Sequence, residues 1–226
     1  TLTGGSGKDV LLGNKGRDTL TGGPGGDTLT GGEDSDVYKY SLADLIDAAS
    51  AAANRDSIVE ESGSANGLLD TIDFSTIPES DATGKAIKLT FQVGSPEVTG
   101  LQANLWLANV DQGALFATPA KNIEKILIGA GESNFRFTDT YEWSKILQIE
   151  QDAGADRIVD LDFSAVTKDL LFTIKDDSQV TVEEAVSDGN GGVKPKDGGK
   201  SISAVMFATS REDAETTRTA STVVLD

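Results

Sequence analysis

Residues 4–39 read GGSGKDVLL, GNKGRDTLT, GGPGGDTLT and GGEDSDVYK, four units of nine in which Asp9, Asp18, Asp27 and Asp36 share the sixth place and Leu11, Leu20, Leu29 and Tyr38 the eighth. Glycine at the first, second and fourth places permits turn conformations that cost other residues free energy. The last three places form a short β-prone triplet with one apolar side chain to bury. Each unit is therefore a turn followed by a short strand. Two units make a coil of 18 residues, which sets Leu2 on Leu20, Leu11 on Leu29 and Leu20 on Tyr38 at the ~4.8 Å spacing of paired strands. The same step makes Asp9 face Asp27 and Asp18 face Asp36. The predicted fold is all-β, opening with stacked coils of these tandem nonapeptides.

A coil of this kind orders 18 residues while burying two apolar side chains, and conformational entropy outweighs so small a burial. Facing carboxylates ~5 Å apart also repel by about 1 kcal/mol in water, and by more where solvent is thin. A bound cation supplies the missing stabilisation. The donors are carboxylate and carbonyl oxygens in a chain with no cysteine and no histidine, which suits a hard ion and argues against zinc or copper. Calcium accepts six or more oxygens in a flexible cage, whereas magnesium keeps its waters and demands an octahedron, so the expected ion is calcium.

The four units match the pattern G-G-x-G-x-D-x-U-x, and the stretch resembles the RTX family of calcium-binding proteins. The resemblance implies a parallel β-roll, export of the unfolded chain through bacterial type I secretion machinery, and folding when calcium is met outside the cell. It also implies ligand sets: Gly4, Ser6 and Asp9 with Gly23, Gly25 and Asp27, then Gly13, Lys15 and Asp18 with Gly32, Asp34 and Asp36, the non-aspartate members acting through backbone carbonyls. Asp34 stands at the fourth place and Asn14 at the second, where the pattern has glycine; Asn and Asp tolerate left-handed backbone better than most residues. A phosphate loop is a poorer match, because in GSGKD the residue after Lys8 is Asp9 instead of Ser or Thr.

Composition points the same way. Against 19 basic residues stand 37 acidic ones, a net charge of −18, so nucleic acid and anionic membrane are disfavoured as partners and cations are favoured. Most of this acidity lies beyond residue 40 and reads as solvated surface. No apolar run is long enough to span a bilayer. Absence of cysteine is compatible with an oxidising exterior. The first residues, TLT, fit the end of an earlier repeat, and no initiator Met or signal peptide precedes them, so the chain reads as an excerpt of something longer.

Three regions are expected: the roll at 1–40, a short capping helix at 41–54, and a β-rich region at 55–226. The helix is read from Leu42, Leu45, Ile46 and Ala49 at helical spacing behind Ser41 as N-cap, with Asp44 in the first turn, and is expected to cover the open end of the roll. Downstream, DSI at Asp56, DTIDFS from Asp70 and DRIVDLDFS from Asp156 echo the repeat, and NIEKILIGAGESNFRFT resembles an eroded repeat that keeps Gly129 and Gly131 but not the aspartate. This region is read as a β-helix-like continuation or a compact sandwich. Asp73 and Asp162 are expected to face solvent. Asp156 is read as fixing a turn more readily than as a ligand, and the loop carrying Asp188, Asn190 and Asp197 as flexible.

Without histidine or cysteine the common general bases and thiol nucleophiles are missing, and no carboxylate pair is singled out for glycoside hydrolysis. The chain is not expected to be an enzyme. Three functions remain open: a calcium-loaded structural or adhesive segment of a secreted or cell-surface bacterial protein; the secretion-competent C-terminal part of an exported protease, lipase or haemolysin-like toxin, with STVVLD in its export signal; or a carbohydrate-binding module stacking sugars on Trp106, Tyr141 and Trp143. A cell-surface or glycan partner belongs to the first and third. The apolar content of residues 55–226 predicts a core that persists without the tandem calcium sites.

Overall fold

Each turn-and-triplet unit points the chain back along its earlier path two units later, so the strands of the roll pair in parallel on two faces. The computed structural model describes residues 1–60, 69–94, 100–138 and 147–150 with their side chains, and beyond them only the backbone of strands between residues 151 and 225. The repeats supply β1 (Leu2–Thr3), β2 (Val10–Lys15), β3 (Thr19–Thr21), β4 (Thr28–Glu33) and β5 (Val37–Lys39). On one face Leu2 lies opposite Leu20 and Leu20 opposite Tyr38; on the other, Leu11 lies opposite Leu29. The 18-residue coil is thus the unit of stacking.

The strand that closes the last repeat leads into α1 (Leu42–Ser50), a 3-10 turn (Ala52–Asn54), β6 (Ser57–Ile58) and β7 (Thr71–Asp73). Ser41 caps α1 through a reciprocal capping box with Asp44, whose Oδ2 accepts the Ser41 amide at 2.7 Å. Leu45 and Ala48 are buried and Leu42 and Ala49 partly so, whereas Ile46 is exposed on the solvent side. The helix lies against a later hairpin formed by Leu101–Leu107 and Val110–Ala114. Its following turn sits over the third repeat, where a Cβ on Gly26 would strike the Ala53 carbonyl.

The two faces of the roll do not stop at residue 40. β6 adds to β4 in parallel with Ile58 on Leu29, and β7 adds to β5 with Ile72 on Tyr38. The chain continues through β8 (Ile87–Val93), β9 (Leu101–Leu107), β10 (Val110–Ala114), β11 (Lys125–Ile128), β12 (Glu132–Thr138) and β13 (Leu147–Gln151). β11 then stacks on β7 and β13 on β11, both in parallel, so one apolar column runs Leu2, Leu20, Tyr38, Ile72, Ile126, Ile149. Opposite it, β12 joins β8 in parallel, while β9 pairs antiparallel with the other edge of β8 and β10 antiparallel with β9.

Of the two architectures open for the downstream region, the β-helix-like continuation is the one formed, widened on one face by an antiparallel hairpin. Farther along, β14 (Val159–Ala165) joins β12, and β15 (Leu170–Lys175), β16 (Gln179–Ser187), β17 (Val193–Pro195) and β18 (Thr222–Leu225) extend the other sheet beyond β13.

A single buried cluster runs from Leu11 to Ile149 between these faces. Its aromatic spine is Tyr40, Phe74, Phe91 and Phe135, with Phe91 and Phe135 stacked at 4.4 Å between ring centres. Asp73, expected to face solvent, is buried; its Oδ1 accepts the Ser75 amide at 2.8 Å, because the chain turns immediately after β7 and the carboxylate caps that turn. Asp156, Asp162, Asp188, Asn190, Asp197, Tyr141 and Trp143 lie outside the residues whose side chains are described. Trp106 donates to Thr90 Oγ1 at 3.0 Å and carries the Lys88 ammonium 5.2 Å over its ring, which occupies one of the faces that a sugar would need.

Ile72, fully buried at the middle of the apolar column, should cost about 2–5 kcal/mol when cut to alanine, the range for deleting a packed aliphatic side chain. Val10, 67% exposed on the first repeat, should cost less than about 0.5 kcal/mol. Chemical denaturation of the two variants in calcium measures both; equal effects would mean that the column is not the core.

Candidate metal centre

The turns that join the two faces bring the aspartates into vertical files, one file at each edge of the roll. Along the first, the Asp9 amide donates to Asp27 Oδ1 at 2.8 Å and the Asp27 amide to Asp56 Oδ1 at 2.8 Å. Along the second, the Asp18 amide donates to Asp36 Oδ1 at 2.7 Å, the Asp36 amide to Asp70 Oδ1 at 2.8 Å, and the Asp70 amide to Glu124 Oε2 at 2.9 Å. The carboxylates of Asp27, Asp36, Asp56, Asp70 and Glu124 are thus each pinned by one oxygen to the backbone one coil earlier. Every member sits just before a strand whose second residue belongs to an apolar column: Leu11, Leu29 and Ile58 on one face, Leu20, Tyr38, Ile72 and Ile126 on the other.

The second oxygen of these carboxylates is what the loops are shaped around. Oδ2 of Asp9, Asp27 and Asp36 is buried without a hydrogen-bond partner. The first glycine of each repeat makes room for the carboxylate of its own unit: a Cβ on Gly4 would lie 2.7 Å from Asp9 Oδ2, one on Gly13 3.1 Å from Asp18 Oδ2, and Cβ atoms on Gly22 and Gly31 would collide with Asp27 Oδ2 and Asp36 Oδ2. Gly23, Gly25 and Gly32 have φ of 94°, 139° and 108°, and a side chain on them would run into the carbonyls of Gly5, Gly7 and Asn14 in the loop stacked against them.

Asn14 and Asp34, which replace glycine, adopt φ of 71° and 77°, the left-handed region that these two residue types tolerate. Asp34 Oδ2 accepts the Gly16 amide at 3.1 Å, and Lys15 reaches Glu33 at 2.8 Å. Ser6 is exposed at the tip of the first loop. Between the first and third loops the carbonyls turned toward the neighbouring loop are those of Gly5 and Gly7 above and Gly22 and Pro24 below. The Gly4, Ser6, Gly23 and Gly25 carbonyls implied by the resemblance are one residue along in the same loops.

Burying carboxylates without a counter-charge is costly, and the groups register it. Burial, reinforced by the neighbouring carboxylates, raises the Asp27 and Asp36 carboxyls above their usual range despite the amide bonds they accept. Burial pushes Asp56 up to about 7, and burial together with Asp70 and Asp36 pushes Glu60 up to about 8. Unpartnered oxygens, all-oxygen donors and glycine cradles that admit no Cβ fit a hard cation such as calcium and leave nothing for a soft one. Asp56 and Asp70, which begin echoes of the repeat, and Glu124 join the files from outside the four nonapeptides. Their signals are the triplets DSI, DTI and EKI, an acid two places before a buried isoleucine; Glu124 stands nine residues before Ser133, which holds the aspartate place of the eroded repeat.

Residues 3–38 match the RTX calcium-binding nonapeptide repeat in four copies. No curated protein and no solved structure matches the chain. The stacked repeats of residues 3–38 are therefore an RTX calcium-binding β-roll, and calcium is their ion.

Because the Asp56 and Glu60 carboxyls titrate near 7 and 8 in the metal-free fold but near 4 when unfolded, the folded state holds more protons than the unfolded chain across that window. Stability of the calcium-depleted protein should therefore fall as pH rises from about 4 to 8, and excess calcium should remove that fall. Thermal melts along the pH series measure it. A calcium-depleted stability that rises through the window would contradict the burial of these acids.

Proposed function

We propose that this RTX array is the calcium-operated folding element of a secreted or cell-surface bacterial protein, with a structural or adhesive role and no catalysis of its own. The supporting observation is the set of buried, unpartnered Oδ2 atoms on Asp9, Asp27 and Asp36. In this reading Asp9 with Asp27 and Asp18 with Asp36 hold calcium between stacked loops, and backbone carbonyls of those loops complete the shell. Calcium supplies positive charge where the carboxylates would otherwise repel.

The chain's own residues do the rest. The amide-to-carboxylate bonds orient Asp27 and Asp36, the glycines let the loops approach, and Leu20, Leu29 and Tyr38 exclude water beneath them. Such an element suits export through type I secretion machinery, because the roll stays open where calcium is scarce and closes where it is plentiful. A ligand bound only by the folded state stabilises it by mass action. Among the described residues no helix is long and apolar enough to cross a membrane.

Circular dichroism of the full chain should show the part of its β-structure that the repeats supply lost in chelator at the upper end of that pH window and regained cooperatively on adding calcium. In calorimetric calcium titration, Asp27→Ala should weaken one site by at least about tenfold, or ~1.4 kcal/mol, whereas Glu79→Ala, on an exposed turn, should leave the isotherm unchanged. A chelator-insensitive spectrum, or equal effects of the two substitutions, would sink the proposal.

A further inference from the structure

No further matched repeat follows to stack on the last one. Where the next carboxylate would come 18 residues after Asp36, the file is continued by Asp70, 34 residues on, and the chain between them forms α1 and β6 before returning. Glu60, two residues beyond β6, enters this gap. One carboxylate oxygen from each of Asp36, Glu60 and Asp70 lies within 4.8 Å of the others, and all three residues are more than nine-tenths buried.

We propose that Asp36, Glu60 and Asp70 form a further calcium site, at the junction between the repeats and the downstream sheet. It is separate from the Asp9/Asp27 and Asp18/Asp36 pairs in that it recruits Glu60 and Asp70, both outside the matched repeats. The proposal rests on the calcium reading of the array.

Two observations beyond the clustering support it. Asp36 Oδ2 and Glu60 Oε2 are buried and accept no hydrogen bond, so two unsatisfied anionic atoms share the gap. The gap is also shaped: Gly31 sits against it, and a Cβ there would collide with Asp36 Oδ2 and Glu60 Oε1 and lie 2.7 Å from the Tyr38 hydroxyl. That hydroxyl accepts the Gly31 amide at 2.8 Å and donates its own proton to Glu60 Oε1. Tyr38 therefore fixes which Glu60 oxygen stays available.

Three carboxylates buried together either keep protons or share a cation. With a donor set entirely of oxygen and three acids contributing, the fitting ion is a hard divalent one with tolerance for irregular geometry, which favours calcium over magnesium. Asp36 precedes β5, Asp70 precedes β7 and Glu60 follows β6, so one ion here ties strands of both faces and joins the repeats to the first coil beyond them.

Calorimetric titration of the full chain with calcium, and with magnesium as control, tests this in the wild type, Glu60→Gln and Asp9→Asn. Glutamine keeps the shape of the side chain and its acceptor for Tyr38 while removing the charge. The expected result is that Glu60→Gln loses one bound calcium, or binds it at least tenfold more weakly, while Asp9→Asn loses a different one and the double variant loses both. Unchanged stoichiometry and affinity in Glu60→Gln overturn the junction site and leave the repeat sites standing. A wild type that takes up no calcium overturns the array reading and this site with it.

Terbium substituted for calcium supplies a second measurement. Emission excited through tyrosine should fall in Glu60→Gln, which removes one ion, and in Tyr38→Phe, which removes the phenol bonded to Glu60. Emission unaltered in both variants places the ion elsewhere and overturns the site, whatever the fold of either variant.

Discussion

A carboxylate that accepts the backbone amide one coil above it, while its other oxygen points into a buried gap, is the interaction on which this structure depends. It sets the register, since Asp27 must sit under Asp9 and Asp36 under Asp18. It also makes the metal-free fold electrostatically unfavourable, since every correctly stacked coil brings another buried anion into line. The hydrogen bond by itself contributes modestly, about 1.5–3 kcal/mol for a charged acceptor, against the cost of desolvating the carboxylate. Calcium resolves this conflict, and so the ion and the register are coupled: the stacking that creates the site is the stacking that the ion stabilises.

The same constraint explains how the roll passes into the region beyond it. A new strand can join the file whenever an acid precedes an apolar residue by two places, whatever length of chain intervenes. The steps from Asp36 to Asp70 and from Asp70 to Glu124 span 34 and 54 residues, yet the amide-to-carboxylate bonds keep lengths of 2.8 and 2.9 Å. The extra residues leave as a helix, as loops and as the antiparallel hairpin that widens one face. As the coils lengthen, the core also changes character, from single Leu and Tyr side chains to the spine of Tyr40, Phe74, Phe91 and Phe135. Burial of large aromatic surface then carries more of the stabilisation, at about 25 cal/mol per Å² of apolar area, and fewer acids are required.

This gradient gives calcium different work at different points along one continuous sheet. In the repeats the ion offsets a small core and a large charge conflict. Where Asp36, Glu60 and Asp70 meet, the apolar column is already deep, and an ion serves to join the calcium-operated part to the part held by packing. The helix α1 contributes in a similar sense, because it lies on the hairpin while the turn after it covers the third repeat.

The nonapeptide beat alone determined the 18-residue stacking step, the partner of each aspartate and the left-handed places that Asn14 and Asp34 occupy, because all of these follow from local backbone geometry repeated at a fixed interval, while the absence of cysteine and histidine left only oxygen donors for an ion. The capping of α1 by Ser41 and Asp44 was legible for the same reason, being a contact across three residues. Tertiary structure decided what distance in sequence conceals. Asp56, Asp70 and Glu124 join the files only because inserted chain folds out of the way, and period counting cannot see across insertions of unequal length. Glu60 carries no pattern at all, and it meets Asp36 and Asp70 because the chain beyond β6 enters a gap that exists only once both sheets are assembled. Asp73 reads as a solvent-facing member of an alternating strand, but the turn after β7 buries it. Alternation governs which way a side chain points only while the strand continues, and where it ends is settled by what the rest of the molecule packs against it.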